Sequence, residues 1–120
     1  MEHKRLTYGE TRLMQLVWDL GPVASGQLIE RCRAELGWQK STSYTMLKKL
    51  ADKGYVQNEN AVVTALISRV EAQAEESNYV VDSSFSGSLP GFLVAFLGGK
   101  TITDAEAEEL KALIDAHRER

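Results

Sequence analysis

Between Lys40 and Lys49 the chain reads KSTSYTMLKK, a run of alcohols, one phenol and three lysines threaded with apolar residues. Hydroxyls both donate and accept hydrogen bonds, and ammonium groups are compact cations that attract phosphate. At about 100° per residue, Ser43, Leu47 and Leu50 share one side of a helix, flanked by Met46 and Ala51. Ser41, Thr45, Lys48 and Asp52 fall on the opposite side, flanked by Tyr44 and Lys49, with Thr42 at the N-terminal end. That outward surface suits the major groove of B-DNA. Ser and Thr can bond base edges, a Thr methyl can meet the thymine methyl, and lysines neutralise phosphates. A merely solvated helix face has a similar composition, so the neighbouring elements decide between the two.

Those neighbours are legible. Thr7…Glu10, Ser68…Glu71 and Thr103…Glu106 each match the capping-box spacing and should each open a helix. The first helix is expected from Tyr8 to Leu20, with Leu13, Val17 and Leu20 on its apolar stripe. Gly21-Pro22 ends it. Val23 is left as a short extended bridge. Leu28, Ile29, Cys32 and Leu36 mark a second helix from Ser25 to Leu36, ended by Gly37. GWQK leads to the third helix, with Lys40 just before it, Ser41 as its N-cap, its end at Asp52 or Lys53, and Gly54 beyond. From Tyr55 to Leu66 the β-favouring residues flank NENA, a turn former, which predicts a hairpin. Three helices followed by a hairpin is the order of a winged helix-turn-helix. Further helices are expected from Arg69 to the mid-80s, over LPGFLVAFL, and from Asp104 to His117, with SFSGS as a break. The fold class is therefore mainly α with a small β-hairpin wing. Residues 1–67 would form the winged helix and residues 68–120 a helical domain.

The second half carries Leu89, Phe92, Leu93, Val94, Phe96 and Leu97 in one short helix, and Leu110, Leu113 and Ile114 in the last. Left uncovered they would form a large apolar patch, and pairing with a second copy is the simplest way to hide it. Charge divides similarly. Residues 1–54 carry a net +3 and residues 55–120 a net −6, so a basic half precedes an acidic one.

Several function classes find no support. The two histidines, His3 and His117, lie near the termini without neighbouring ligands and should face solvent. Glu106, Glu108 and Glu109 read as a solvated helix face. No P-loop, GxSxG or HExxH pattern occurs, so no catalytic activity, metal or cofactor is expected. The single cysteine, Cys32, rules out an internal disulfide and reads as a small buried hydrophobe. No apolar run reaches the length of a membrane span, and MEHKRLTYGE lacks an apolar signal core, so a cytoplasmic protein is expected.

The motifs LT…E…LM..VWDLGPV, GW…ST.YTMLKKLADKGYV and SL…LVAFL…IT..EAEELKALID span almost the whole chain. In their order and spacing the chain resembles the penicillinase-repressor family of bacterial transcription regulators, the BlaI/MecI type. The resemblance implies a homodimeric repressor that binds a dyad-symmetric operator in double-stranded DNA. Thr42, Tyr44 and Thr45 would reach the major groove, Ser41, Lys48 and Lys49 would meet base edges or backbone, and Lys40 would pair with a phosphate. The dimer interface would use Leu89, Phe92, Leu93, Phe96, Leu97, Leu110, Leu113 and Ile114. In the best-known systems a membrane sensor-protease leads to cleavage between Asn and Phe, and the matching bond here is Ala95-Phe96. The chain departs from the family pattern at that missing Asn, at Ser43 in place of an apolar β-branched residue, and in a hairpin without Lys or Arg. It also lacks the cysteine-rich copper motif of one family branch. Ser43 should weaken the packing of its helix, and the uncharged wing should attract phosphate poorly. A winged-helix adaptor that binds protein and not DNA is the alternative reading.

Overall fold

The structure, a computed structural model, describes residues 4–119. His3 therefore lies outside the described residues. Helix α1 runs Tyr8–Leu20 behind a complete capping box, in which Glu10 N–H donates to Thr7 Oγ1 and Thr7 N–H donates to Glu10 Oε1. Gly21, at φ 67°, ends it with its amide on the Val17 carbonyl. Val23–Ala24 form a short strand, β1, and α2 follows over Ser25–Arg31. The expected single helix to Leu36 changes pitch at Cys32. Residues Cys32–Leu36 make a wider π turn, closed by Gly37 in the left-handed region and by the Trp38 amide on the Cys32 carbonyl.

Helix α3 spans Lys40–Asp52. Its start corrects the expectation, because Gln39 is the N-cap, Lys40 is already helical and Ser41 lies in the first turn. The extended Gln39 presents its carbonyl to both the Ser43 amide (3.0 Å) and the Ser43 hydroxyl (3.1 Å), and Ser41 is exposed. Strands β2 (Val56–Glu59) and β3 (Val62–Ala65) form the expected hairpin, pairing Glu59 with Val62 and Val56 with Ala65. Asn60 and Ala61 both take positive φ (53° and 59°), the twist that a two-residue hairpin turn needs. β1 pairs antiparallel with β3, so the sheet has three strands in the order β1-β3-β2. The Ser25 amide donates to Ala61 O at 2.8 Å and ties the hairpin turn to the start of α2.

One core joins these parts. Leu13, Met14 and Val17 of α1 meet Leu28 and Cys32 of the second helical stretch, Leu47 and Leu50 of α3, and Tyr55, Val56, Val63 and Ile67 of the wing region. Trp18 Nε1 donates to Ile67 O at 2.9 Å, which closes the end of the wing onto α1. Gly9 lets α1 approach closely: a Cβ there would stand 3.1 Å from Met46 Cε and 3.7 Å from Trp38 Cζ2.

Helix α4 covers Arg69–Ser84 and opens with the second complete capping box, Ser68 with Glu71. By its contacts the chain divides into two compact units between Tyr79 and Val80. In the second unit, α5 (Leu89–Leu97) is capped by Ser88 and α6 (Asp104–Ala116) by Thr103, each hydroxyl accepting an amide of the first turn. Phe85 meets Phe92 edge-on at 5.4 Å, and Phe92 stacks on Phe96 at 5.9 Å. No described residue after Tyr79 is fully buried. Among the described residues no single helix is long and apolar enough to cross a membrane.

Candidate nucleic-acid interface

The helix-turn-helix is the pair formed by the Ser25–Leu36 stretch and α3, joined through Gly37, Trp38 and Gln39. Amphipathicity sets how α3 sits. Ser43, Leu47 and Leu50 are buried against the core, and Met46 and Ala51 are half-buried. Lys40, Ser41, Thr42, Tyr44, Thr45, Lys48 and Lys49 are all exposed, Tyr44 by 39 %. Each residue singled out on this helix therefore sits on its outer surface.

The cations there are unspent. Among the described residues, neither Lys40, Lys48 nor Lys49 is engaged by a carboxylate, whereas Arg31 pairs with Glu35 and Lys53 with Glu10. The first-turn amides are also free of side-chain caps, because Gln39 makes no side-chain capping bond. In α1, α4, α5 and α6 a hydroxyl takes that place. An uncapped helix start with a lysine in its first turn favours an anion.

Two supports hold the helix at its ends. At the start, the half-buried Trp38 packs beside Gly9 of α1. At the end, Lys53 Nζ reaches Glu10 Oε1 at 2.6 Å and Arg5 O at 3.0 Å. Glu10 is 1 % exposed. Burial pushes its carboxyl pKa up, but the bonds from Lys53 and Thr7 and the lysine charge outweigh that and hold it below the ordinary value. The capping spacing pointed to Glu10, yet nothing in the local sequence signalled that Lys53, 43 residues on, would share it.

Ser43 does not leave a polar gap. Its side chain is wholly buried, with the hydroxyl donating to Gln39 O. It also lies beside Cys32, whose thiol pKa is raised by burial, with the Ser43 hydroxyl offsetting part of the rise. Ser43→Ala removes a bond to a carbonyl that still accepts the Ser43 amide, and it gains helix propensity. The expected change in unfolding free energy is within about 1 kcal/mol by urea titration.

The wing carries the opposite chemistry. Gln57, Asn58, Glu59 and Asn60 are exposed, and no Lys or Arg lies between Tyr55 and Leu66. The hairpin thus offers amides and one carboxylate where a basic wing would offer cations. His117 is exposed at the end of α6, its Nδ1 2.8 Å from Leu113 O, with no ligand set around it. Among the described residues no group of three or more His, Cys, Asp or Glu could hold a metal.

A winged helix-turn-helix with α3 outermost defines a DNA-binding regulator of transcription. The chain belongs to the penicillinase repressor family, whose model matches residues 6–116. It is 21 % identical over 120 residues to the penicillinase repressor of Bacillus licheniformis, covering 97 % of this chain and 94 % of that one. It is also 26 % identical over 115 residues to an uncharacterized 16.5 kDa protein in the ptsI 3′ region of Latilactobacillus sakei, covering 92 % of this chain and 79 % of that protein. The protein is accordingly a DNA-binding transcriptional repressor; its family is one of regulators, not enzymes.

Proposed function

We propose that the protein acts as a homodimer and reads a dyad operator in double-stranded DNA, each copy laying α3 in the major groove. DNA binding falls to residues 1–67 and dimerisation to residues 68–120. The observation that carries this is the outer face of α3, where hydroxyls and unpaired lysines stand exposed on the side opposite Leu47 and Leu50. Thr42, Tyr44 and Thr45 read base edges. Ser41, Lys48 and Lys49 meet edges or backbone, and Lys40 takes a phosphate beside the uncapped helix start. The wing contributes little charge, so the lysines of α3 carry most of the salt dependence.

The dimer is built from Leu89, Phe92, Leu93, Phe96, Leu97, Leu110, Leu113 and Ile114. Support comes from the exposure of five of them in a single copy, Leu89 56 %, Phe96 52 %, Leu110 42 %, Leu113 51 % and Ile114 58 %, with Phe92, Leu93 and Leu97 half-buried. A sensor-linked protease would act at Ala95-Phe96. Both residues are exposed but lie within α5, so cleavage would require that helix to unwind locally.

The test is duplex binding as a function of salt. Replacing both Lys48 and Lys49 with Ala should weaken binding to every sequence and flatten the log–log salt slope by about 2 units. Thr45→Ala should leave the slope alone and relax base preference at one position. If the unaltered protein binds no duplex at low salt, the adaptor reading takes its place.

A further inference from the structure

The segment before α1 links three elements through backbone and side chain together. Tyr55 OH donates to Lys4 O at 3.0 Å, and Lys53 Nζ donates to Arg5 O at 3.0 Å. The Arg5 side chain continues to α4. Its Nη2 and Nε donate to Glu76 Oε1 at 2.7 and 3.1 Å, Nε lies 3.2 Å from Oε2, and the guanidinium sits 4.4 Å above the Tyr79 ring.

Helix α4 has a separate anchor at its start. Arg69 pairs with Asp19 at 2.6 Å and lies 5.5 Å above the Trp18 ring, and Ala72 packs on the core. One anchor fixes where a helix begins; a second, two turns on, fixes where it points. Arg5 supplies such a second hold at Glu76. The consequence is geometric. The 16 residues of α4 make a rod of about 24 Å, so a tilt of about 10° moves its far end by about 4 Å. That exceeds one base-pair step of about 3.4 Å.

We propose that Arg5, Glu76 and Tyr79 are positioning residues that set which half-site spacing the dimer accepts, by fixing the direction in which α4 leaves the DNA-binding unit. This rests on the dyad-reading dimer proposed above. Arg5 touches no base in this scheme. Its fork and flat face hold Glu76 and Tyr79 at once, a geometry that lysine does not reproduce. The pair is half exposed, at 50 % and 48 %, so its worth lies in orientation and not in fold stability.

Two measurements on the full chain test it. In the first, spin labels are placed through Gln27→Cys and Ser84→Cys, in dimers diluted with unlabelled chain, and the distance distribution is recorded. It should be narrow in the parent, broader in Arg5→Ala, and narrow again when Arg5→Glu is combined with Glu76→Arg. In the second, affinity is compared for a single half-site duplex and for dyads whose half-sites are moved by one and two base pairs. Arg5→Ala should leave half-site affinity unchanged and weaken the preferred dyad by about fivefold. It should also lessen the penalty for altered spacing, and the swapped pair should restore both. Equal losses on half-site and dyad would make Arg5 a DNA contact and overturn the proposal, as would identical distance distributions in parent and variant. If the parent binds no duplex, the repressor mechanism fails, while the distances still decide whether the clamp exists.

Discussion

Lys53→Met should cost about 3 kcal/mol of folding stability at pH 7, read as a lower urea midpoint with an unchanged slope. The lysine is the cation of a carboxylate that has nowhere else to go. Glu10 is 1 % exposed and Lys53 21 % exposed, with 2.6 Å between Nζ and Oε1. Without the ammonium, Glu10 keeps only Thr7 as a partner and stays out of water. Removing one member of a buried pair costs roughly 3–5 kcal/mol, and the partial exposure of Lys53 places this case at the lower end. The pH dependence identifies the cause. In the parent, the Glu10 pKa is depressed below 4.5, so its contribution is complete above that value and is lost as pH falls through the folded-state pKa. In the variant, burial acts unopposed by the lysine and raises that pKa. The gap between parent and variant should therefore be widest near neutrality and narrow on acidification. A gap constant from pH 7 to pH 4 would mean that the loss comes from packing and not from the ion pair.

If the proposed two-fold dimer forms through α5 and α6, Phe96→Asp should abolish it. In a two-fold interface one substitution acts twice. Each Phe loses about 2 kcal/mol of burial, and each new carboxylate would have to be buried unpaired or stay apart. The sum is at least about 4 kcal/mol, a thousandfold or more in dimer dissociation constant. Sedimentation equilibrium would read it. Phe96 is a sound probe because it is 52 % exposed, stacked on Phe92 at one side and under Lys100 Nζ at 4.4 Å, so the single copy loses little core when it changes. Leu113→Asp, on the exposed side of α6, should act the same way and guards against a local effect of α5. A variant that remains dimeric while circular dichroism shows intact helices would move the interface elsewhere.

Much of this architecture was open to reading from residue order. The boundaries of α1 and α5 follow from a capping threonine, a stopping Gly-Pro and an apolar block bounded by Ser88 and Gly98. All of these act within a few residues. The outward face of α3 was legible for the same reason, since a helical period fixes which side chains lie together. Where the sequence misled, the deciding contact was near in the chain: the Gln39 carbonyl lies four residues before Ser43. Ser41 has a capping hydroxyl, but Gln39 became the N-cap, two residues earlier than expected. Ser43 is buried, and its hydroxyl is satisfied by the Gln39 carbonyl.

By itself, then, the sequence determined the succession of helices and hairpin, the sidedness of α3 and the family to which the chain belongs. Each of these depends on near neighbours or on residue order. Tertiary structure decided that Val23–Ala24 would become a third strand, that Lys53 would meet Glu10, and that Arg5 would reach Glu76 across 71 positions. Such pairings are selected by the geometry of the closed core. Many lysines and arginines could serve locally, and only folding determines which of them arrives within hydrogen-bonding distance.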